Sequence, residues 1–213
     1  MKVSRTYLPL FVFPLLVGCS SPKQKLDKCQ LPCAALKSEL AKDVCMSSCE
    51  RTVYGDFTPD KLASLCDKDD PVACLRFAVK ATDTAQVASK LQACCDRKNS
   101  VCCGGLGKMY SRGKVLKLDK EKGYALMEQA CGLGDGTSCA SPGLEQMGKG
   151  NLKRAQELFA LGCDKDSPYA CGLLGVLHRD GRGVPRDIPQ AKKFLDKACR
   201  LGAEMSCKAL QRL

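Results

Sequence analysis

Five times along this chain two cysteines stand eight residues apart: Cys66/Cys74, Cys95/Cys103, Cys131/Cys139, Cys163/Cys171 and Cys199/Cys207. The second cysteine of one pair precedes the first of the next by 21, 28, 24 and 28 positions. That interval holds about one helical hairpin, and after each pair the sequence reads as helix, turn and helix. Units of this size bury their apolar faces against their neighbours and not around one central core. The expected architecture is a stack of hairpins, and its expected use is recognition across an extended surface.

Seventeen cysteines in 213 residues reach the edge of the range that marks disulfide scaffolds. In a reducing cytosol they would imply metal binding; in an exported chain they imply bridges. The N-terminus argues for export. Lys2 and Arg5 are followed by an apolar run from Thr6 to Gly18, interrupted by Pro9 and Pro14. It is too short to span about 30 Å of hydrocarbon, so it reads as a signal over residues 1–18. The run ends Leu16-Val17-Gly18-Cys19, which resembles the lipobox of bacterial lipoproteins. The resemblance implies cleavage before Cys19, a diacylglycerol on its sulfur, and stable anchoring through two or more chains. Ser20 follows where an inner-membrane retention signal would have Asp, so the expected location is the outer membrane, facing the periplasm. With Cys19 lipidated, sixteen cysteines remain, an even number consistent with complete pairing.

Residues 19–28 are polar and read as a tether. Residues 29–54 carry Cys29-x3-Cys33 and Cys45-x3-Cys49, and cysteines four apart share one helical face. Two antiparallel helices with this spacing can join through nested bridges, Cys29–Cys49 and Cys33–Cys45. This segment resembles the twin Cys-x3-Cys hairpin proteins, which are joined in that way. The second helix is expected from Glu39 to Val53, with Ser38 as its cap; Pro32 sits badly in the first. Export disfavours zinc on these thiols.

From residue 59 to 213 the hairpins take over. Asp70-Pro71 and Ser167-Pro168 place a capping side chain before a proline at the first helical position. Asp83 with Gln86 forms a capping box, and Asp119, Asn151 and Asp187 open later helices. Gly113, Gly134, Gly150, Gly181 and Gly202 mark helix ends. No window alternates as a strand does, so the fold class is all-α.

The unit from Cys171 to Cys207 shows Cys171-x2-Leu174-Gly175, Gly181-x-Gly183-Val184, Asp187, Gln190-Ala191, Phe194, Lys197-Ala198-Cys199 and Gly202. Cys103 to Cys139 matches through Leu106-Gly107, Tyr110, Gly113 and Asp119. This pattern resembles the Sel1-like repeat, a relative of the tetratricopeptide repeat, in the variant of the Helicobacter cysteine-rich proteins. It implies a right-handed α/α solenoid whose hairpins are stapled by Cys-x7-Cys disulfides, with Ala203 to Leu213 as a capping half-hairpin. Each bridge would tie the end of one hairpin's second helix (B) to the start of the next hairpin's first helix (A). Cys94 and Cys102 repeat the eight-residue offset beside Cys95 and Cys103. A double staple, 94–102 with 95–103, is the expectation, and crossed pairing stays open.

Chemistry beyond binding finds little footing. His178 is the chain's one histidine and occupies the repeat position of Tyr110, a packing position between helices. Nothing forms a nucleophile context or a metal set around it, and no cofactor is implied. The cysteine-rich relatives imply a β-lactam-binding or weakly β-lactamase-active alternative. Ser111-x-x-Lys114 fits the first serine β-lactamase motif, but its two companion motifs are missing. Cys-x-x-Cys is absent, so the thiols read as staples and not as a redox site.

The net charge of +11 drops to about +9 once Lys2 and Arg5 leave with the signal. Export and the absence of tryptophan argue against nucleic acid. In solenoids that this chain resembles, A helices line the concave face. On them stand Arg76, Lys80, Lys108, Arg112, Lys149 and Arg179, which point to an acidic peptide or protein as partner. The expected protein is a monomeric, lipid-anchored interaction scaffold; a passive envelope component touching anionic lipid or cell wall is a further alternative.

Overall fold

The computed structural model describes residues 22, 25–27, 29 and 39–213. The signal peptide, Cys19 and Cys33 lie outside the described residues. The chain divides into two compact units, Met1–Phe57 and Thr58–Leu213. In the first, α1 runs Glu39–Tyr54, and Cys29 is bridged to Cys49 with Cα atoms 5.6 Å apart. Cys45 is also disulfide-bonded. Tyr54 meets Phe57 edge to face at 5.8 Å.

The second unit is helical throughout. Its elements are α2 (Pro59–Asp67), α3 (Pro71–Lys80), α4 (Thr84–Asp96), α5 (Ser100–Arg112), α6 (Lys120–Gly132), a 3-10 turn (Gly136–Cys139), α7 (Ala140–Gly148), α8 (Leu152–Asp164), α9 (Pro168–Asp180), α10 (Ile188–Arg200) and α11 (Glu204–Leu210). Each helix packs on its predecessor, most extensively α5 on α6 and α9 on α10. Thus α3, α5, α7 and α9 are A helices and α4, α6, α8 and α10 are their B partners. The short α11 closes the array. This is an all-α solenoid of hairpins.

Every joint from a B helix to the next A helix is built alike. The first cysteine closes helix B, and the residue three later has a positive φ: Asp69 63°, Lys98 64°, Gly134 109°, Asp166 56° and Gly202 99°. Its N–H reaches the carbonyl of that cysteine at 2.8–3.2 Å in all five joints. The next residue back-bonds five positions in four joints, for example Asp70 N–H to Leu65 O at 3.1 Å and Ser167 N–H to Gly162 O at 2.9 Å. This pair of bonds terminates a helix through a left-handed residue. In the first four joints that same next residue caps the following helix with its side chain; in the fifth it is Ala203, which has no side-chain cap. Asp70 Oδ1 accepts from Ala73 N–H at 2.9 Å, and Asn99, Asp135 and Ser167 act likewise. Four residues further on, the second cysteine completes the bridge.

The bridges pair Cys66 with Cys74, Cys95 with Cys103, Cys131 with Cys139, Cys163 with Cys171 and Cys199 with Cys207. In the first four joints these sulfurs are buried and belong to the core, as where Cys163 and Cys171 pack with Phe159, Leu174 and Leu177. Cys94 pairs with Cys102, so the second joint carries two parallel bridges.

Within a hairpin, small residues set the spacing. A Cβ on Gly123 of α6 would lie 2.6 Å from Ser111 N and 2.8 Å from Gly107 O of α5. Both are backbone atoms, so the helices would have to separate. Sequence capping signals hold at Asp83, Asp119 and Asp187. Asn151 opens α8 without capping it; its amide donates instead to Gln146 Oε1 at 2.8 Å. The left-handed Asp69, Lys98 and Asp166 had no glycine to announce them.

Two substitutions separate these effects. Gly123→Ala is expected to destabilise by about 1–3 kcal/mol through overpacking, read as a fall in urea midpoint. Gly132→Ala, where a new Cβ meets nothing within 4 Å, should instead be neutral or stabilising by up to about 1 kcal/mol. Lys98→Gly relieves a left-handed side chain and should stabilise by about 1 kcal/mol in the same assay. A loss there would mean that Lys98 makes a contact worth more than its backbone cost.

Candidate functional site

Between α3 and α5 lies a groove of about 540 Å³. Leu75 and Val79 of α3 form one wall, and Val101 and Met109 of α5, with Val115 in the turn beyond it, form the other. Asp135 and Thr137, at the entry to the next A helix, close one end. The groove therefore spans three successive A-helix positions. Gly105 leaves room for the Leu75 side chain, whose Cδ methyl occupies the space a Cβ there would take. The walls are apolar and open to solvent, with Val79 73% and Val101 40% exposed. Exposed valines on a packed helix face cost solvation that a partner would relieve.

Three cations rim these walls: Lys108 and Arg112 of α5 and Lys114 of the following turn. None of the three forms an ion pair among the described residues. One acid shares the groove with them: Asp135 pairs with none of the three and accepts instead from the Thr137 N–H at 3.1 Å, the Thr137 hydroxyl at 2.6 Å and the Ser138 hydroxyl. The site thus combines an apolar trough with a net positive charge, three cations against one carboxylate.

The other cations named from the sequence are not brought here. Arg76 and Lys80 stand on α3 but do not line the groove, and neither is free. Lys149 pairs with Glu145 at 3.3 Å. Beside it, burial pushes the Tyr124 phenol above its usual pKa, and the Glu145 charge and hydrogen bond push it the same way. Arg179 Nε donates to Asp180 at 2.6 Å, and that bond holds the Asp180 carboxyl below its usual range. Of the six, only Lys108 and Arg112 share one site. The sequence reading missed Lys114 and the apolar walls. Their signal was Val79 and Val101, valines placed on a helix face that the repeat pattern leaves open.

The enzyme-like residues are otherwise occupied. Ser111 Oγ donates to the Lys108 carbonyl at 3.2 Å, within its own helix. His178 stacks on Phe194 of α10 at 5.5 Å and 24°, and its Nδ1 is buried with no hydrogen-bond partner among the described residues. Cys74, Cys94 and Cys102 bring three buried sulfurs within 4.8 Å of one another, but all three are oxidised. A metal requires thiolates.

The pattern of the Sel1 repeat family matches residues 100–135 and 168–202, which hold the hairpins α5–α6 and α9–α10. Among solved structures, a Sel1 repeat protein from Oxalobacter formigenes superposes with a TM-score of 0.54 and 22% identity, covering 59% of this chain and 97% of that one. The protein c5321, a protective antigen of uropathogenic Escherichia coli with an SLR fold, superposes with a TM-score of 0.61 and 18% identity over 73% of this chain and 36% of its own. At these identities the likeness speaks for the fold. The cytochrome c oxidase assembly factor 7 of Xenopus tropicalis is 28% identical over 131 residues, 56% of this chain. The chain spans 57% of the length of that curated relative. Two hairpins carrying the family pattern, a joint repeated five times and two solved folds of the same kind lead to one conclusion: this chain carries Sel1 repeats within an all-α solenoid whose hairpin joints are closed by disulfides.

Proposed function

We propose that this protein is a membrane-tethered interaction scaffold that holds an acidic, partly apolar peptide segment in the groove between α3 and α5. Sel1 repeats generally mediate protein–protein interaction, which sets the class. The finer reading rests on one observation: Lys108, Arg112 and Lys114 surround exposed apolar walls against the single carboxylate of Asp135, which leaves the groove with net positive charge. Aliphatic side chains would fill the trough while carboxylates meet the rim. Covalently closed joints leave the groove little freedom to lose on binding, which favours affinity. The lipobox-like Leu16-Val17-Gly18-Cys19 supports an anchor at Cys19 and a bacterial envelope location. No observation favours the β-lactam reading, since Ser111 is tied to its own helix. None favours a passive envelope role.

A labelled peptide of mixed Leu and Glu is the probe for the groove. Lys108→Glu with Arg112→Glu should weaken its binding roughly tenfold or more, since each partly exposed charge contributes up to about 1 kcal/mol. The salt dependence seen with the wild-type groove should flatten as well. Binding unchanged in the double variant would remove the groove as the site. Separately, Cys19→Ala should move the full-length chain from the membrane fraction to the soluble fraction on cell lysis. Retention of the variant in membranes would overturn the lipid anchor and leave the groove reading untouched.

A further inference from the structure

The second joint has one bridge more than the repeat needs. Cys95–Cys103 holds the staple register, with Cα atoms 4.7 Å apart against 4.5–4.9 Å in the four other joints. Cys94–Cys102 is set one residue earlier on both helices, and its Cα atoms are 5.8 Å apart. One residue along a helix turns the side chain by about 100°. The extra bridge therefore does not face where the staple faces. It faces the preceding joint, where Cys74 Sγ lies within 4.8 Å of both its sulfurs. Cys74 is on α3, Cys94 on α4 and Cys102 on α5, so three helices meet at these sulfurs. All are at most 2% exposed, as is Cys66, the bridge partner of Cys74. No other bridge among the described residues has a third sulfur at this range.

We propose that Cys66–Cys74 and Cys94–Cys102 form a single exchangeable disulfide centre that relays a two-electron reduction from one joint to the next. The reductant is an external dithiol, which reaches the buried Cys66–Cys74 bridge when the α2–α3 joint opens locally. It opens Cys66–Cys74, is itself oxidised to its disulfide, and leaves thiols on Cys66 and Cys74. The Cys74 thiolate then attacks the Cys94–Cys102 bridge. A new bond forms from Cys74 to one of the two sulfurs, and the electron pair of the broken S–S bond departs with the other as a thiolate. The number of disulfides is unchanged in this step, so it needs no further oxidant. Its result is a bridge from α3 to α4 within one hairpin, or from α3 to α5 between two hairpins, in place of the Cys94–Cys102 bridge across the α4–α5 joint. Cys95–Cys103 stays closed throughout and keeps that joint intact. This gives the doubled bridge a role that stapling alone does not, because one bridge holds the joint while the other exchanges.

The test starts from the full-length chain carrying Cys66→Ser, which leaves Cys74 as a lone thiol beside the Cys94–Cys102 bridge. After incubation at mildly alkaline pH the sample is quenched in acid, labelled with N-ethylmaleimide in denaturant and mapped by mass spectrometry. The label should move to Cys94 or Cys102, with a cross-linked peptide joining Cys74 to the other. Cys163→Ser serves as the control; it frees Cys171, which has no third sulfur nearby and should retain its label. A label confined to Cys74, with Cys94–Cys102 intact, overturns the proposal. Should Cys66→Ser fail to fold, the wild-type chain is treated with substoichiometric dithiothreitol and mapped in the same way. A Cys74–Cys94 or Cys74–Cys102 peptide supports the relay, and recovery of native pairs alone overturns it.

Discussion

The structure depends on one joint: a helix ended by a left-handed residue, restarted by a capping residue and closed by a disulfide over eight positions. Each component does a separate job. The left-handed residue reverses the chain, and the cap satisfies the N–H groups that open the next helix. The bridge removes chain entropy from the unfolded state, roughly 2–3 kcal/mol for so short a loop when its effect is treated as purely entropic. Because the sulfurs are buried in most joints, the same cysteines also supply core volume. That matters in a chain with six Phe, five Tyr and no Trp, where each hairpin has little apolar area of its own.

The groove follows from the joint. Repeating one turn places successive A helices side by side, so α3, α5 and the entry to α7 contribute neighbouring residues although they are far apart in sequence. Glycine at 105 then leaves space for the Leu75 side chain. The cations that face this trough form no ion pair among the described residues, whereas Lys149 and Arg179 have carboxylates on their own helices within reach. Positive charge of the whole chain is therefore a poor guide to the binding site. The local shortage of acid between α3 and α5 is the better one.

Much of this was legible in the residues. The eight-residue cysteine offset, the Asp-Pro and Ser-Pro helix starts and the glycines after helices encode short-range geometry, which sequence reports well. The helix expected over Glu39–Val53 is observed as Glu39–Tyr54. Three of the five left-handed turn residues were not legible, because Asp69, Lys98 and Asp166 are held in that conformation by the joint and not by their own preference. Four of the six cations proposed for a partner fall outside the groove for a related reason. A helix face can be read from periodicity, but the residues a neighbouring helix presents to it cannot.

The sequence by itself determined that this is a repeat of helical hairpins, where each hairpin begins and ends, and which cysteines lie within bonding reach across a turn. All of these are set by contacts between residues fewer than ten positions apart. Only the tertiary structure decided that Cys94 pairs with Cys102 beside Cys95–Cys103, that Cys74 of the preceding joint lies against that pair, and that Lys108, Arg112 and Lys114 border exposed valines. Those outcomes rest on the rotation of one helix about its axis relative to the next. That rotation is set by the packing of whole hairpins, which no single stretch of the chain contains.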